Sequence, residues 1–127
     1  MGQFSGPFSV TELPGSLREG RQEVTTAAVL TYISDKGYII SVPRGFATDF
    51  ASVPFWLDGI VPSFGPWAKA AIIHDYLYAG HGAKRGLTRA WCDNVFREAL
   101  KACGVSLWRR NAMWAAVRLG GGNGWVV

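Results

Sequence analysis

The sequence predicts an α+β domain in which a small antiparallel sheet from the N-terminal half packs against three C-terminal helices. Three observations point there. β-Branched residues crowd the stretch from Val24 to Val42 and give it the period of strands. Three helical segments follow from Pro66 onward, each with its own start or stop residue. Every strand signal precedes every helix signal, so the order reads β-β-β then α-α-α.

The elements follow in chain order. "FSVTEL" alternates weakly and meets Pro14-Gly15, a turn signal. "REGRQ" is a polar connection. "EVTTAAVLTYI" is apolar enough on both faces to be one central strand. "SDKG" turns the chain and "YIISVP" returns as its partner, so a hairpin is expected over Arg21 to Val42 with its turn at Asp35 to Gly37. Pro43 has no amide proton to give and ends the ladder. Pro66 suits a first helical turn, and "WAKAAIIHDYLYAG" then reads as a helix apolar all round, closed by Gly80. "HGAKRG" is a loop. Thr88 caps "RAWCDNVFREALKAC", stopped by Gly104, and Ser106 caps "LWRRNAMWAAVRL", stopped by "GGGNG".

At 127 residues the chain is one domain, 1–127, able to bury a core without disulfides. Cys92 and Cys103 lie eleven positions apart on one expected helix, about 16 Å along its axis, and so read as reduced core residues. No signal peptide opens the sequence and no apolar run reaches about 18 residues, which excludes a membrane span. The net charge is +4, with Lys and Arg dispersed along the chain, a pattern that argues against nucleic acid as a partner. Six Trp suit either a Trp-rich core or surface that is covered on assembly. Trp56, Trp108 and Trp125, beside loops or helix ends, are the candidates for the second role.

Four polar residues stand in apolar surroundings. Asp49 is the lone carboxylate between Phe46 and Phe50 in "GFATDFASVP". His74 and Asp75 sit inside the apolar helix, with Ala71 leaving space beside both, and Asp93 lies at the border of the next helix's inner face. Ionisable groups so placed must be paired, hydrogen-bonded or metal-bound. Imidazole with carboxylates suits zinc, manganese or iron, so Asp49, His74, Asp75 and Asp93 are candidate metal ligands, and His74 and Asp75 candidate catalytic groups. Each also has a plain structural role open to it. Asp49 can cap a turn, His74 can bond Asp93 or a carbonyl, Asp75 can pair with Arg85 or Arg118, and Asp93 can be solvated. Ser52 with His74 and an Asp would make a nucleophile triad, but no nucleophile elbow surrounds it.

"VPRGFATDFASVP", "AAIIHDYLY", Asp93 with Phe96, and "AVRLGG" together resemble the 1353 family of domains of unknown function, Gifsy-type prophage and phage proteins. The likeness runs from Phe8 to Gly120. It implies a bacteriophage or prophage origin and carries no mechanism with it. Family members often have Arg or Lys directly after the "ASVP" stretch; here Phe55-Trp56 follow.

Two functions are expected on these grounds. One is a virion-associated protein of tail, baseplate or head, held to other phage proteins or to copies of itself, with a buried His/Asp cluster. The other is a small metal-dependent hydrolase acting on cell wall or a phosphoester, for which the His/Asp grouping must line a pocket. Either places the protein in the virion or the host cytoplasm.

Overall fold

The computed structural model describes residues 2–5, 10–18, 21–48 and 67–127, with the backbone alone between 10 and 24. It is α+β, as the sequence predicts, with two three-stranded antiparallel sheets. Strands β1 (Gln3–Ser5), β4 (Leu30–Ile33) and β5 (Ile39–Val42) form one sheet in the order β1-β4-β5. Strands β2 (Val10–Arg18), β3 (Arg21–Thr26) and β6 (Ala47–Thr48) form the other in the order β2-β3-β6.

The expected hairpin is present at its turn. Asp35 and Lys36 turn the chain, Gly37 takes φ +81°, and β4 pairs antiparallel with β5. Leu30 lies opposite Val42 and Tyr32 opposite Ile40; all four are buried and face the helices, while Ile39 and Ser41 on the alternate positions are exposed. The single long strand expected from Val24 to Ile33 is instead broken at residues 27–29, and its halves join different sheets. The cause lies in the partner segment. After Pro43 the chain turns through Gly45, at φ +87°, and returns to the end of β3 rather than extending β5. Gly45 N donates to Thr26 O, Thr26 N donates to Phe46 O, and the Thr26 hydroxyl donates to Pro43 O. β6 then continues beside β3. Pro14-Gly15 is likewise not the end of a strand: β2 runs through it, and the register against β3 shifts between Glu12 and Leu17. Proline lacks a ladder donor, and an irregularity there is how a strand accommodates it.

Helix α1 (Ala68–Tyr76) is buried along nearly its whole length because Ala68, Ala70 and Ala71 let neighbours approach closely. It ends earlier than expected. Residues Leu77–His81 form a wide π-helical turn in which Gly80 takes φ +107°, and the segment read as a loop resumes as a short helix, α2 (Gly82–Lys84). The widened turn is met by the C-terminal tail, where Val126 N donates to Tyr78 O at 2.9 Å. A side chain at Gly80 would meet the Val126 methyl at 3.6 Å and would be strained by the left-handed backbone.

Helix α3 (Arg89–Ala102) starts as predicted, with the Thr88 hydroxyl accepting from Trp91 N, and stops at Gly104 with φ +82°. Ser106 occupies the position before α4 (Leu107–Gly120), but its hydroxyl makes no capping bond. Helix α3 lies between α1 and α4 and also touches β1, and α1 packs on β5. The core sits where these surfaces meet, around Tyr32, Ile72, Leu77, Phe96, Leu100 and Val117. Cys92 and Cys103 are free thiols.

Candidate functional site

His74 is fully buried on α1, between the rings of Tyr78 at 4.1 Å and Phe96 at 4.6 Å. Its Nε2 lies 2.7 Å from Oδ1 of Asp93, which is also fully buried. The same Oδ1 accepts from the Tyr78 hydroxyl at 2.5 Å, and Oδ2 accepts from Arg118 Nη1 at 2.8 Å. Arg89, one helical turn before Asp93, keeps Nε 4.0 Å from Oδ2. That guanidinium donates from Nε to the Tyr78 hydroxyl and from Nη2 to the carbonyls of Val117 and Arg118. A cation therefore meets the carbonyl end of α4, where the helix dipole favours one. The carboxylate of Asp93 thus joins α1, the wide turn, α3 and α4 at one point.

The charge states follow from this geometry. Burial pushes the His74 pKa below its usual value, more strongly than the bond to Asp93 raises it. Asp93 is penalised by burial, yet the hydrogen bonds from His74, Tyr78 and Arg118 hold its carboxyl below the usual range. At neutral pH the pair is a neutral imidazole, proton on Nε2, donating to a carboxylate. The carboxylate's counter-charge is Arg118, with Arg89 farther off. Burial, with Asp93 adding to it, raises the Tyr78 pKa, so Tyr78 remains a donor. Cys92 beside this cluster is pushed up to about 12, chiefly by burial, and is an inert thiol at neutral pH.

Asp75, the neighbour of His74, is buried and takes a different partner. Its Oδ2 accepts from the hydroxyl of Thr48, the last residue of β6. The two stretches "GFATDFASVP" and "AAIIHDYLY" therefore meet, through Thr48 and Asp75. Close by, Phe46 packs edge-on against Tyr76, which stacks on His81 at 4.0 Å. Asp49, Ser52 and Trp56 lie outside the described residues.

The sequence-level candidates fall into two groups. His74 and Asp93 come together; Asp75 belongs with Thr48. Asp93 is not a solvated border residue, because the side chains of α1 and α4 close over it. Arg118 pairs with Asp93 and not with Asp75, and Arg85 donates to Ile39 O. Among the described residues, no group of three or more His, Cys, Asp or Glu side chains is placed to hold a metal ion. His74 and Asp93 satisfy each other through Nε2 and Oδ1, so the pair as folded does not present those two atoms to a cation. Sequence reasoning missed Tyr78, Arg89 and Arg118 as partners of Asp93. The signal for two of them was spacing: Tyr78 follows His74 by four residues and Arg89 precedes Asp93 by four.

Residues 24–117, about three quarters of the chain, match the model of a family described as "Protein of unknown function (DUF1353)". The chain belongs to this family. The matched span takes in β4, β5 and β6, the wide turn, α3 and most of α4, and so includes every member of the Asp93 cluster except Arg118. No curated protein and no solved structure matches the chain. No helix among the described residues is long and apolar enough to cross a membrane.

Proposed function

We propose that this is a bacteriophage- or prophage-encoded, virion-associated protein of tail, baseplate or head, and that its buried His/Asp cluster is architectural. The observation that carries the architectural part is the saturation of Asp93. Its buried carboxylate accepts from His74, Tyr78 and Arg118, donors drawn from three separate elements. A group so fully bonded locks helices together and has little left to offer a substrate. The phage origin rests on the motif resemblance. An assembly role is supported by Leu107, Trp108 and Leu119, large apolar side chains of α4 that stand exposed.

A second reading is favoured by one observation, the meeting of Thr48 with the buried Asp75. That contact stands at the edge of the Asp49 stretch. A metal-dependent hydrolase acting on cell wall or a phosphoester would draw its ligands from Asp49, His74, Asp75 and Asp93, with zinc, manganese or iron as the cation.

Thermal unfolding of wild type and His74→Ala, each with and without a chelator, separates the two. The architectural reading expects a chelator-insensitive wild type and a variant less stable by roughly 1.5–3 kcal/mol, the range for a buried hydrogen bond to a charged group. A wild type that loses stability with chelator, and a folded variant that no longer responds to it, would establish the hydrolase reading instead.

A further inference from the structure

From residue 67 onward the sequence carries nine Lys or Arg and three Asp or Glu side chains. The fold buries two of the three acids and leaves the third half-buried and hydrogen-bonded. Asp75 and Asp93 are buried, and Glu98 accepts from the Tyr32 hydroxyl and from Asp35 N. The helical half therefore shows water many more cations than carboxylates. Dispersed along the chain, these cations argued against nucleic acid; folding gathers several of them at one place.

That place is a surface cleft of about 420 Å³ between the C-terminal part of α3 and the start of α4. Arg97, Lys101 and Arg110 line it, with the amides of Asn94 and Asn111 and an apolar edge at Leu107. The Arg97 guanidinium lies over the Trp114 ring at 4.3 Å, and the Trp114 indole N–H donates to Asn94 Oδ1, so cation, ring and amide hold one another in place. Arg110 is anchored through Nη1 on Val105 O, which leaves its other N–H groups to a ligand. Two carboxylates also line the cleft: Glu98, bonded as above, and the exposed Asp35. Next to Leu107 stands Trp108, 61% exposed, with Arg109 over its ring.

We propose that this cleft binds the phosphodiester backbone of a single-stranded nucleic acid, with the Trp108 indole as a stacking platform for a base. Planar guanidinium groups match phosphate oxygens in pairs. With three cations against two carboxylates the cleft carries both signs and is positive on balance, which suits an anionic phosphate backbone. An exposed indole beside the cations is the second half of sequence-tolerant single-strand binding, and it is usable only when bases are unpaired. This inference stands apart from the proposed virion role and does not depend on it.

Fluorescence anisotropy with a labelled short oligothymidylate tests it. Binding is expected at low salt, with log K falling against log salt by about 0.7 per phosphate contacted. Replacing the three cations together (Arg97→Gln, Lys101→Gln, Arg110→Gln) should weaken binding at least about tenfold and flatten that slope by about 2. Trp108→Ala should weaken it about fivefold or more through lost stacking. Lys101→Gln alone, at an exposed position, gives a smaller loss in the same direction should the triple variant fail to fold. The pair Lys84→Gln with Arg85→Gln, beyond the opposite end of α3, should leave affinity within about twofold. Absence of binding at low salt would overturn the proposal. So would an equal loss in the Lys84/Arg85 pair, or equal affinity for a polyglutamate peptide, which would mark the cleft as a site for an acidic protein segment.

Discussion

Helix α3 carries two acids to two tyrosines, at two places that differ in kind. Asp93 meets Tyr78 in the interior between helices; Glu98 meets Tyr32 at the seam between helix and sheet. In both, burial raises the tyrosine pKa and the acid raises it further, so both tyrosines are donors. The difference is counter-charge and enclosure. Asp93 is wholly buried, with Arg118 on its second oxygen. Glu98 is half-buried, its second donor is the backbone N–H of Asp35 at 3.0 Å, and its cationic neighbours belong to an open cleft. One carboxylate is a node that several elements cannot do without; the other is a clip whose loss water can partly replace.

Removing the node should have the largest effect. Asp93→Ala strips the acceptor from His74 and Tyr78 and leaves Arg118 and Arg89 facing each other without an anion. A loss of about 3–5 kcal/mol is expected, the range for breaking a buried charge pair. Urea unfolding measures it, and a loss below about 1 kcal/mol would erase the distinction between node and clip. Glu98→Ala comes next. It removes a charge-assisted bond to Tyr32 at a half-buried position, for roughly 1–2 kcal/mol. Hydrogen exchange should show that loss concentrated in β1 and β4, since Gly2 packs so closely on this pair that a Cβ there would lie 2.5 Å from the Tyr32 ring and 2.6 Å from Glu98 Oε1.

The same contrast governs what could be read in the sequence. His74, Asp75 and Asp93 stood out because ionisable groups on apolar helices demand partners, and that demand is local. Which partner answers is not local. Arg118 lies 25 positions from Asp93 and is nearer in sequence to Glu98, and only the folding of α4 across α3 brings it to Asp93, so its choice could not be read from spacing. The Tyr32–Glu98 clip spans sixty-six positions and left no periodic trace. The hairpin turn at Asp35 to Gly37 was legible because turn chemistry is local. The break in the long strand at residues 27–29 was not, because it is imposed by Gly45 and Phe46 returning to Thr26. Helix α3 was legible at both ends from Thr88 and Gly104. The early end of α1 was hidden, because the C-terminal tail that fills the wide turn arrives from residue 126.

Acid titration sharpens the comparison at smaller effect. The His74 pKa in the fold lies below its unfolded value of about 6.5, so the unfolded chain takes up that proton first. Stability from His74 is therefore complete above about pH 6.5 and is lost as pH falls below it, at no more than about 1.4 kcal/mol per pH unit. The Asp93 carboxyl is also held low, so its contribution persists until pH falls below about 4. Two limbs should appear on acidification. His81 is pushed down as well, by its partial burial and by Lys84 and Arg85, and adds to the first limb. Chemical denaturation across pH with His74→Gln and His81→Gln assigns it: His74→Gln should remove most of the limb between about pH 4 and 6.5. If His81→Gln removes it instead, His74 does not bury a neutral ring.

The smallest effect on stability is expected at Trp108, which tests the opposite end of the scale from Asp93. Its indole stands 61% exposed on α4, with Arg109 over one face and no place in the core. Trp125, the other candidate for surface contact, differs: it is half-buried and packs edge-on against Tyr78 at 5.2 Å. Truncating a side chain that water already reaches changes little in the folded monomer, so Trp108→Ser should shift unfolding by less than about 0.5 kcal/mol. Trp125→Ala should cost more, because it uncovers Tyr78, one of the donors to Asp93. The readout that Trp108 should move is association. Sedimentation of wild type over a range of concentrations, against Trp108→Ser, should show less self-association in the variant if this helix face meets copies of the chain. A Trp108→Ser variant as destabilised as Glu98→Ala would mean that the indole supports the fold, and the face would lose its claim to be a contact surface.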